Sequence, residues 1–260
     1  MQFEYTERVI DPEQGITQGA LASYYVVVAR SMLPHVVDRP LSLVGRGGAV
    51  PHPTIHDERG LMGLVEEFAL EIRTSTAHAS NLEHPDRLVF ELEPGENVTF
   101  GAVARAAKVL RALLQGIDLE SFAMTRGQRG VDVIVPVKPE LDAPSLHRFG
   151  TLVIDTLVAA APTLYTSKHD VPRRNLIRLD TAPAFVAPYS TQLLTNAPIA
   201  LPAFWHELEE LEPTFLTPVE VARRLQTLAG DPWEAMTSLE QRITRDHESS
   251  LAHALHSAGS

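Results

Sequence analysis

The residues best suited to chemistry lie in one short stretch, Leu88-Val89-Phe90-Glu91-Leu92-Glu93-Pro94. Side chains alternate across a strand, so Leu88, Phe90 and Leu92 share one face and Val89, Glu91 and Glu93 the other. Two acids on one face of one strand repel each other. A hard divalent cation relieves that repulsion, and carboxylate oxygens are its natural ligands. The alternative is two solvated acids on an exposed face. A second acidic stretch, Leu176–Asp180, places Leu176, Arg178 and Asp180 on one face, where Arg178 and Asp180 form at least a surface ion pair, a weak interaction. Between the two lies Arg126-Gly127-Gln128-Arg129-Gly130, a Gly-bounded turn. It reads either as a phosphate cradle or as a turn with two solvated arginines.

The surrounding pattern supplies elements to hold these groups. Thr17 is an N-cap for a helix carrying Leu21, Tyr24, Tyr25, Val28 and Met32, which the sequence ends at Pro34. The two tyrosines read as core. A strand over 41–44 precedes a Gly- and Pro-rich segment, 45–60, expected to be loop. A helix over 61–70 and the acidic strand follow. Thr99 caps a helix with Val103, Ala107, Leu110 and Leu114 at helical spacing, stopped by Gly116. Phe122–Thr125 and Val131–Val135 form a hairpin, and a helix spans about 144–160. Residues 187–190 start a strand or turn. Thr217, Pro218 and Glu220 make a capping box for a helix through Leu228. The tail, 241–260, is polar and expected to fray. This order places the chain in a mixed α/β (α+β) class, with 1–240 as one domain. The order strand, helix, hairpin, helix, strand brings Glu91, Glu93, the hairpin and Asp180 onto one sheet surface.

Composition narrows the chemistry. The 260 residues suffice for a sizeable core, and 44% are apolar. There is no cysteine, so disulfides and thiolate metal sites are excluded. His52, His56, His78 and His84 match no standard ligand spacing. No apolar run reaches transmembrane length and no basic-then-apolar leader stands at Met1, so a cytoplasmic protein away from the membrane is expected. The net charge of −11 opposes nucleic-acid binding except through a local basic patch.

Residues 83–95, "EHPDRLVFELEPG", resemble the metal-binding segment of bacterial ligase D polymerase domains, which usually reads P-D-R-L-V-F-D-L-D-P. These are archaeo-eukaryotic primase-polymerases that serve in DNA end joining. Residues 15–44 resemble the family's opening helix and its L-P-H-x-x-x-R-P-L turn. Residues 106–137 resemble its helix, strand and T-S-G-G-K-G-L-H segment. "VAPYS" (186–190), "APIALP" (197–202) and "GDPW" (230–233) resemble its C-terminal signatures, so the likeness spans about 5–240. It implies a two-lobed primase-polymerase fold around a central cleft. It also implies template-directed nucleotide addition with two Mg²⁺ or Mn²⁺ ions, which bridge the triphosphate and activate the attacking hydroxyl. By that resemblance Glu91, Glu93 and Asp180 are the catalytic metal ligands. Arg126, Arg129 and Asp132 hold the incoming triphosphate, and Gln192 stands where the family has a phosphate-binding Arg. DNA ends and nucleoside triphosphates are the implied partners, with a repair protein as a further one.

The departures from the family pattern concentrate at that site. Both paired Asp residues are Glu, which lengthens each ligand by roughly 1.5 Å, and a misplacement of about 1 Å can cost on the order of 100-fold in rate. The family's Ser is Arg126, its His is Asp132 and its Arg is Gln192. Its E-x-H-x-W segment is Glu71-Ile72-Arg73-Thr74-Ser75, and the Lys after its Gly-Ile-Thr is Gln18. The stretch that follows the 41–44 strand in the family is missing. Fold-defining residues persist while site residues change. The sequence therefore predicts a pseudoenzyme, a binding or assembly module with weak or no nucleotidyl transfer. The alternatives are an active Mn²⁺-dependent nucleotidyltransferase and a non-catalytic nucleotide-binding protein. Arg126 and Asp132 read as coupled changes that pair across the hairpin.

Overall fold

Two successive sheets, each with its own helices, face one another across a cleft. The computed structural model describes residues 7–258 apart from 13, 14, 46, 68 and 128. Met1, Gln128 of the Arg-Gly turn and the last two residues of the tail lie outside the described residues.

A two-stranded ribbon, β1 (Val9–Asp11) and β2 (Ile16–Thr17), leads into α1 (Gln18–Val36). The Thr17 hydroxyl accepts from the Ala20 N–H at 3.1 Å, as the capping pattern requires. α1 runs past Pro34 to Val36, beyond the expected end. A proline removes one N–H from the helix ladder, and here that loss falls in the last turn, where packing of buried Val36 holds the backbone helical. β3 (Leu41–Gly45) and β4 (Gly48–His52) form a hairpin, so the 45–60 segment is not all loop; Gly48, at φ 105°, makes the reversal that a side chain would resist. α2 (Glu58–Glu66) and β5 (Glu71–Ser75) follow.

The larger sheet begins with β6 (Arg87–Pro94). It is followed by α3 (Phe100–Gln115), the hairpin β7 (Phe122–Arg126) and β8 (Gly130–Pro136), then α4 (Ala143–Ala160). β9 (Tyr165–Thr166), β10 (Ile177–Thr181), β11 (Ala184–Val186) and β12 (Pro202–Ala203) complete the strands. The chain ends with α5 (Pro218–Thr227) and α6 (Arg245–Ala258). The six-stranded sheet runs β12-β7-β8-β6-β10-β9 and the four-stranded one β11-β5-β3-β4. Only the β9–β10 pair is parallel among the named strand pairs.

Leu88, Phe90 and Leu92 face α3 and α4 in one core, and α1, α2 and α5 cover the small sheet in another. Full burial of such side chains contributes roughly 1.5–3 kcal/mol each. A third apolar cluster, with Val89, Met124, Ile134, Phe185 and Trp233, joins the two lobes. The polar tail expected to fray instead carries α6, which packs on α4 through Leu251, only 1% exposed. One well-placed leucine outweighs a polar composition when a neighbouring helix offers a groove.

Candidate functional site

Strand register builds the site. Glu91 lies opposite Asp132 of β8 on one side and opposite Asp180 of β10 on the other. Three carboxylates therefore stand in one row across three strands, on the sheet face turned toward the small lobe. One pleat further, Glu93 lies opposite Arg178. The sequence brings Glu91, Glu93, Asp180 and the hairpin to one surface, and the fold places them there.

Guanidinium groups fill the space between these acids. Arg126 Nη1 is 3.2 Å from Glu93 Oε1 and 3.6 Å from Glu91 Oε1, while its Nε is 2.8 Å from Asp132 Oδ1. The expected Arg126–Asp132 pair is direct, although the N–H is not aimed along the contact, since neither atom completes a hydrogen bond. Glu93 also accepts from Arg173 Nη1 at 3.0 Å and from Arg178 Nη2. Arg178 Nη1 lies 3.6 Å from Asp180, and His169 Nε2 lies 3.0 Å from the same carboxylate.

The local fields follow from this crowding. Burial raises the Glu93 carboxyl, but hydrogen bonds from Arg178 and Arg173 and the charge on Arg126 outweigh it and hold the group at about 2. Asp132 is fully buried. Desolvation pushes its carboxyl up to about 7, against the pull of Arg126 and with the repulsion of Glu91. Arg126 is partly desolvated, yet Asp132, Glu91 and Glu93 together raise its pKa.

Glycine shapes the approach of Arg173. A Cβ on Gly95 would lie 1.5 Å from the Arg173 carbonyl oxygen. Gly95 N–H donates to Leu176 O at 2.9 Å and Asn97 N–H to Arg174 O at 2.8 Å, so the loop before β10 lies against the end of β6.

The cleft beside the row has a volume of about 520 Å³ and is lined by residues of both sheets, including Glu71, Arg73, Glu93, Arg126, Arg129 and Gln192. Glu91, Asp132 and Asp180 do not line it. Asp132 thus sits behind Arg126, in the interior, rather than in contact with a ligand as the resemblance implied. Arg129 donates to the Glu96 carbonyl at 3.1 Å and has no carboxylate within salt-bridge reach among the described residues. Arg73 holds Glu71 at 2.7 Å. Gln192 is buried, and its Nε2 has no hydrogen-bond partner. The four histidines weighed as ligands are dispersed: His52 meets Glu67, His56 meets Asp38, His78 meets Arg39 and Asp86, and His84 meets Asn81.

Three carboxylates are the right donors for Mg²⁺ or Mn²⁺. The arrangement does not fit such ions as it stands, because every carboxylate of the row and Glu93 already has a guanidinium within 3.6 Å. Among the described residues no three His, Asp or Glu side chains converge to hold a metal. Sequence reasoning missed Arg173 and His169, which lie in the loop before β10. The Arg178–Asp180 ion pair read from the sequence is present at 3.6 Å, and Arg178 also donates a hydrogen bond to Glu93 across the strand pair.

Residues 45–233 match the model of the LigD primase-polymerase domain. The chain belongs to that family. The multifunctional non-homologous end joining protein LigD of Mycolicibacterium smegmatis is 25% identical over 92% of this chain and 36% of its own length. The bifunctional LigD of Bacillus subtilis is 22% identical over 87% of this chain and 42% of its own. The chain thus spans between a third and a half of the length of these relatives. The polymerase domain of Mycobacterium tuberculosis ligase D, solved in complex with DNA, superposes with a TM-score of 0.79 at 25% identity, covering 92% of this chain and 98% of that one. The primase-polymerase fold and membership of the LigD primase-polymerase family are therefore shown. Among the described residues no helix is long and apolar enough to cross a membrane.

Proposed function

We propose that this LigD-type domain serves DNA end joining as a binding or assembly module, with little or no nucleotidyl transfer and no resident divalent metal. One observation carries the reading: the carboxylates at the family's metal positions are neutralised by Arg126, Arg173 and Arg178. A metal entering here must displace guanidinium groups that already satisfy its ligands. The relatives are named as non-homologous end joining proteins and the structural neighbour was solved in complex with DNA, and the cytoplasm is the compartment that suits such a role.

A second reading is supported by the cleft. Arg73 and Arg129 present guanidinium groups there, and the Nε2 of Gln192 lacks an acceptor. Such donors suit a nucleotide or a DNA phosphate held without catalysis.

Primer extension with Mn²⁺ and all four ribonucleotides tests the first reading. No extension above background is expected. Robust extension that Glu91→Gln abolishes makes the chain an active Mn²⁺-dependent polymerase and ends the module reading. Thermal melting with millimolar nucleoside triphosphate, without metal, tests the second: a ligand that binds only the folded state must raise the melting temperature.

A further inference from the structure

A smaller cavity, of about 240 Å³, lies at the far end of β7 from Arg126, roughly 13 Å along the strand from it. Its walls are aromatic and apolar: Phe122, Phe204, Trp205 and Leu239. Its polar groups are Arg111, Ser121 and, at one side, Glu120.

The walls are fixed. The Trp205 indole N–H donates to the Ser121 carbonyl at 2.8 Å, and the Glu120 main chain is clamped at both ends by Gln241, at 2.8 Å each. The polar groups, in contrast, are incomplete. Arg111 lies 5.0 Å over the Trp205 ring. No carboxylate is within salt-bridge reach of it among the described residues, although its helix neighbours Arg105 and Lys108 both reach Glu209. Its Nε is buried without a hydrogen-bond partner, and so is the Oγ of Ser121, a residue 3% exposed. A buried donor left unpaired costs about 1–3 kcal/mol. Those two atoms are closed off from the open space of the hollow, but the Arg111 side chain lines it, a cation without a carboxylate partner among the described residues, in a chain of net charge −11.

We propose that this cavity is a binding site for a small aromatic monocarboxylate. The aromatic walls take the ring, and the Arg111 guanidinium takes the carboxylate through charge-assisted hydrogen bonds. Its size is that of roughly eight waters in the liquid, enough for one ring and a short acid arm. Glu120 opposes a second negative charge, so dicarboxylates are excluded. The site is independent of the carboxylate row and of the end-joining role.

The test uses phenylacetate and its neutral isostere phenylacetamide, titrated against the full chain by calorimetry and saturation-transfer NMR. Phenylacetate is expected to bind in about the millimolar range, as suits so few atoms, and the amide at least about tenfold more weakly. Arg111→Gln should erase that discrimination, and Glu120→Gln should tighten phenylacetate binding severalfold. Equal affinity for acid and amide, or no saturable binding of the acid, overturns the proposal. If Arg111→Gln does not fold, the acid–amide comparison on the unaltered chain and the Glu120→Gln titration decide it.

Discussion

Arg126 touches three acids at once, Glu91, Glu93 and Asp132, and so occupies the place that a cation must take in this cluster. Its removal tests the substitution of guanidinium for metal directly. Arg126→Ala leaves Asp132 and Glu91 with no other guanidinium partner among the described residues, and a loss of about 3–5 kcal/mol is expected in chemical denaturation. Millimolar Mn²⁺ should then raise the melting temperature of the variant and leave the parent unmoved. An equal rise in the parent would falsify the idea that arginine has displaced the metal. Asp132 and Glu93 give the cluster opposite pH dependences. The Asp132 carboxyl lies at about 7 in the fold against 3.8 for the free group. The native state therefore holds its proton more tightly, and stability from this group falls as pH rises from about 4 to 7. Glu93, held at about 2 against 4.5, contributes stability above its free value that is lost as pH falls toward 2. Asp132→Asn keeps the neutral shape, so its melting temperature should change less than the parent's between about pH 5 and 7.5. An unchanged slope would assign the effect elsewhere. The Arg126–Asp132 pair was legible in the sequence because both residues depart from the family in one hairpin. Arg173 and His169 were not, since no periodicity fixes where a loop residue points. The Arg178–Asp180 pair was legible as well, but the second partner of Arg178, Glu93, was not, because alternation within one strand says nothing of register with the next.

At the scale of elements, the contact between the end of β6 and the loop before β10 decides whether Arg173 reaches Glu93. Gly95 permits that contact: its Cα lies so close to the Arg173 carbonyl that a methyl group would meet it at 1.5 Å. The neighbour is backbone and cannot rotate away. Gly95→Ala must therefore push residues 173–174 outward, with a cost of at least about 1–3 kcal/mol, and carry Arg173 off Glu93. The expected readout is a lower melting temperature together with an upward shift of the Glu93 carboxyl resonance midpoint by NMR titration. A folded variant with an unmoved Glu93 would show that Arg178 and Arg126 suffice. Most elements were readable because capping and spacing are local: Thr99 and Thr217 cap their helices as expected, with bonds to Ala102 at 3.3 Å and Glu220 at 3.4 Å. The elements misread depend on partners distant in sequence. β4 exists because β3 pairs with it along five residues, and α6 because α4 receives Leu251.

At the scale of the molecule, two features hold the lobes in register beside the cleft. One is the apolar seam around Val89, Met124, Phe185 and Trp233. The other is Arg39, 1% exposed, which joins the start of β3 to the start of β6 by a two-pronged pair with Asp86 at 2.8 and 2.5 Å. The lobes therefore present the cleft as a fixed surface, and its charge becomes the deciding property for a partner. The chain as a whole carries −11, a field that repels DNA, so any affinity for DNA ends must come from the few guanidinium groups that the cluster has not consumed. Arg126, Arg173 and Arg178 are committed to carboxylates, and Arg73 is held by Glu71. Among the described residues Arg129 donates to main-chain carbonyls and has no carboxylate within salt-bridge reach at the cleft. Arg129→Ala should therefore weaken binding to a duplex end and lower the slope of log affinity against log salt by about one, the signature of a single lost phosphate contact. Arg223→Ala, which removes a guanidinium paired with Glu220 on α5, should leave both quantities unchanged. Equal losses in the two variants would mean that DNA responds to net charge alone and that the cleft is not where it lies.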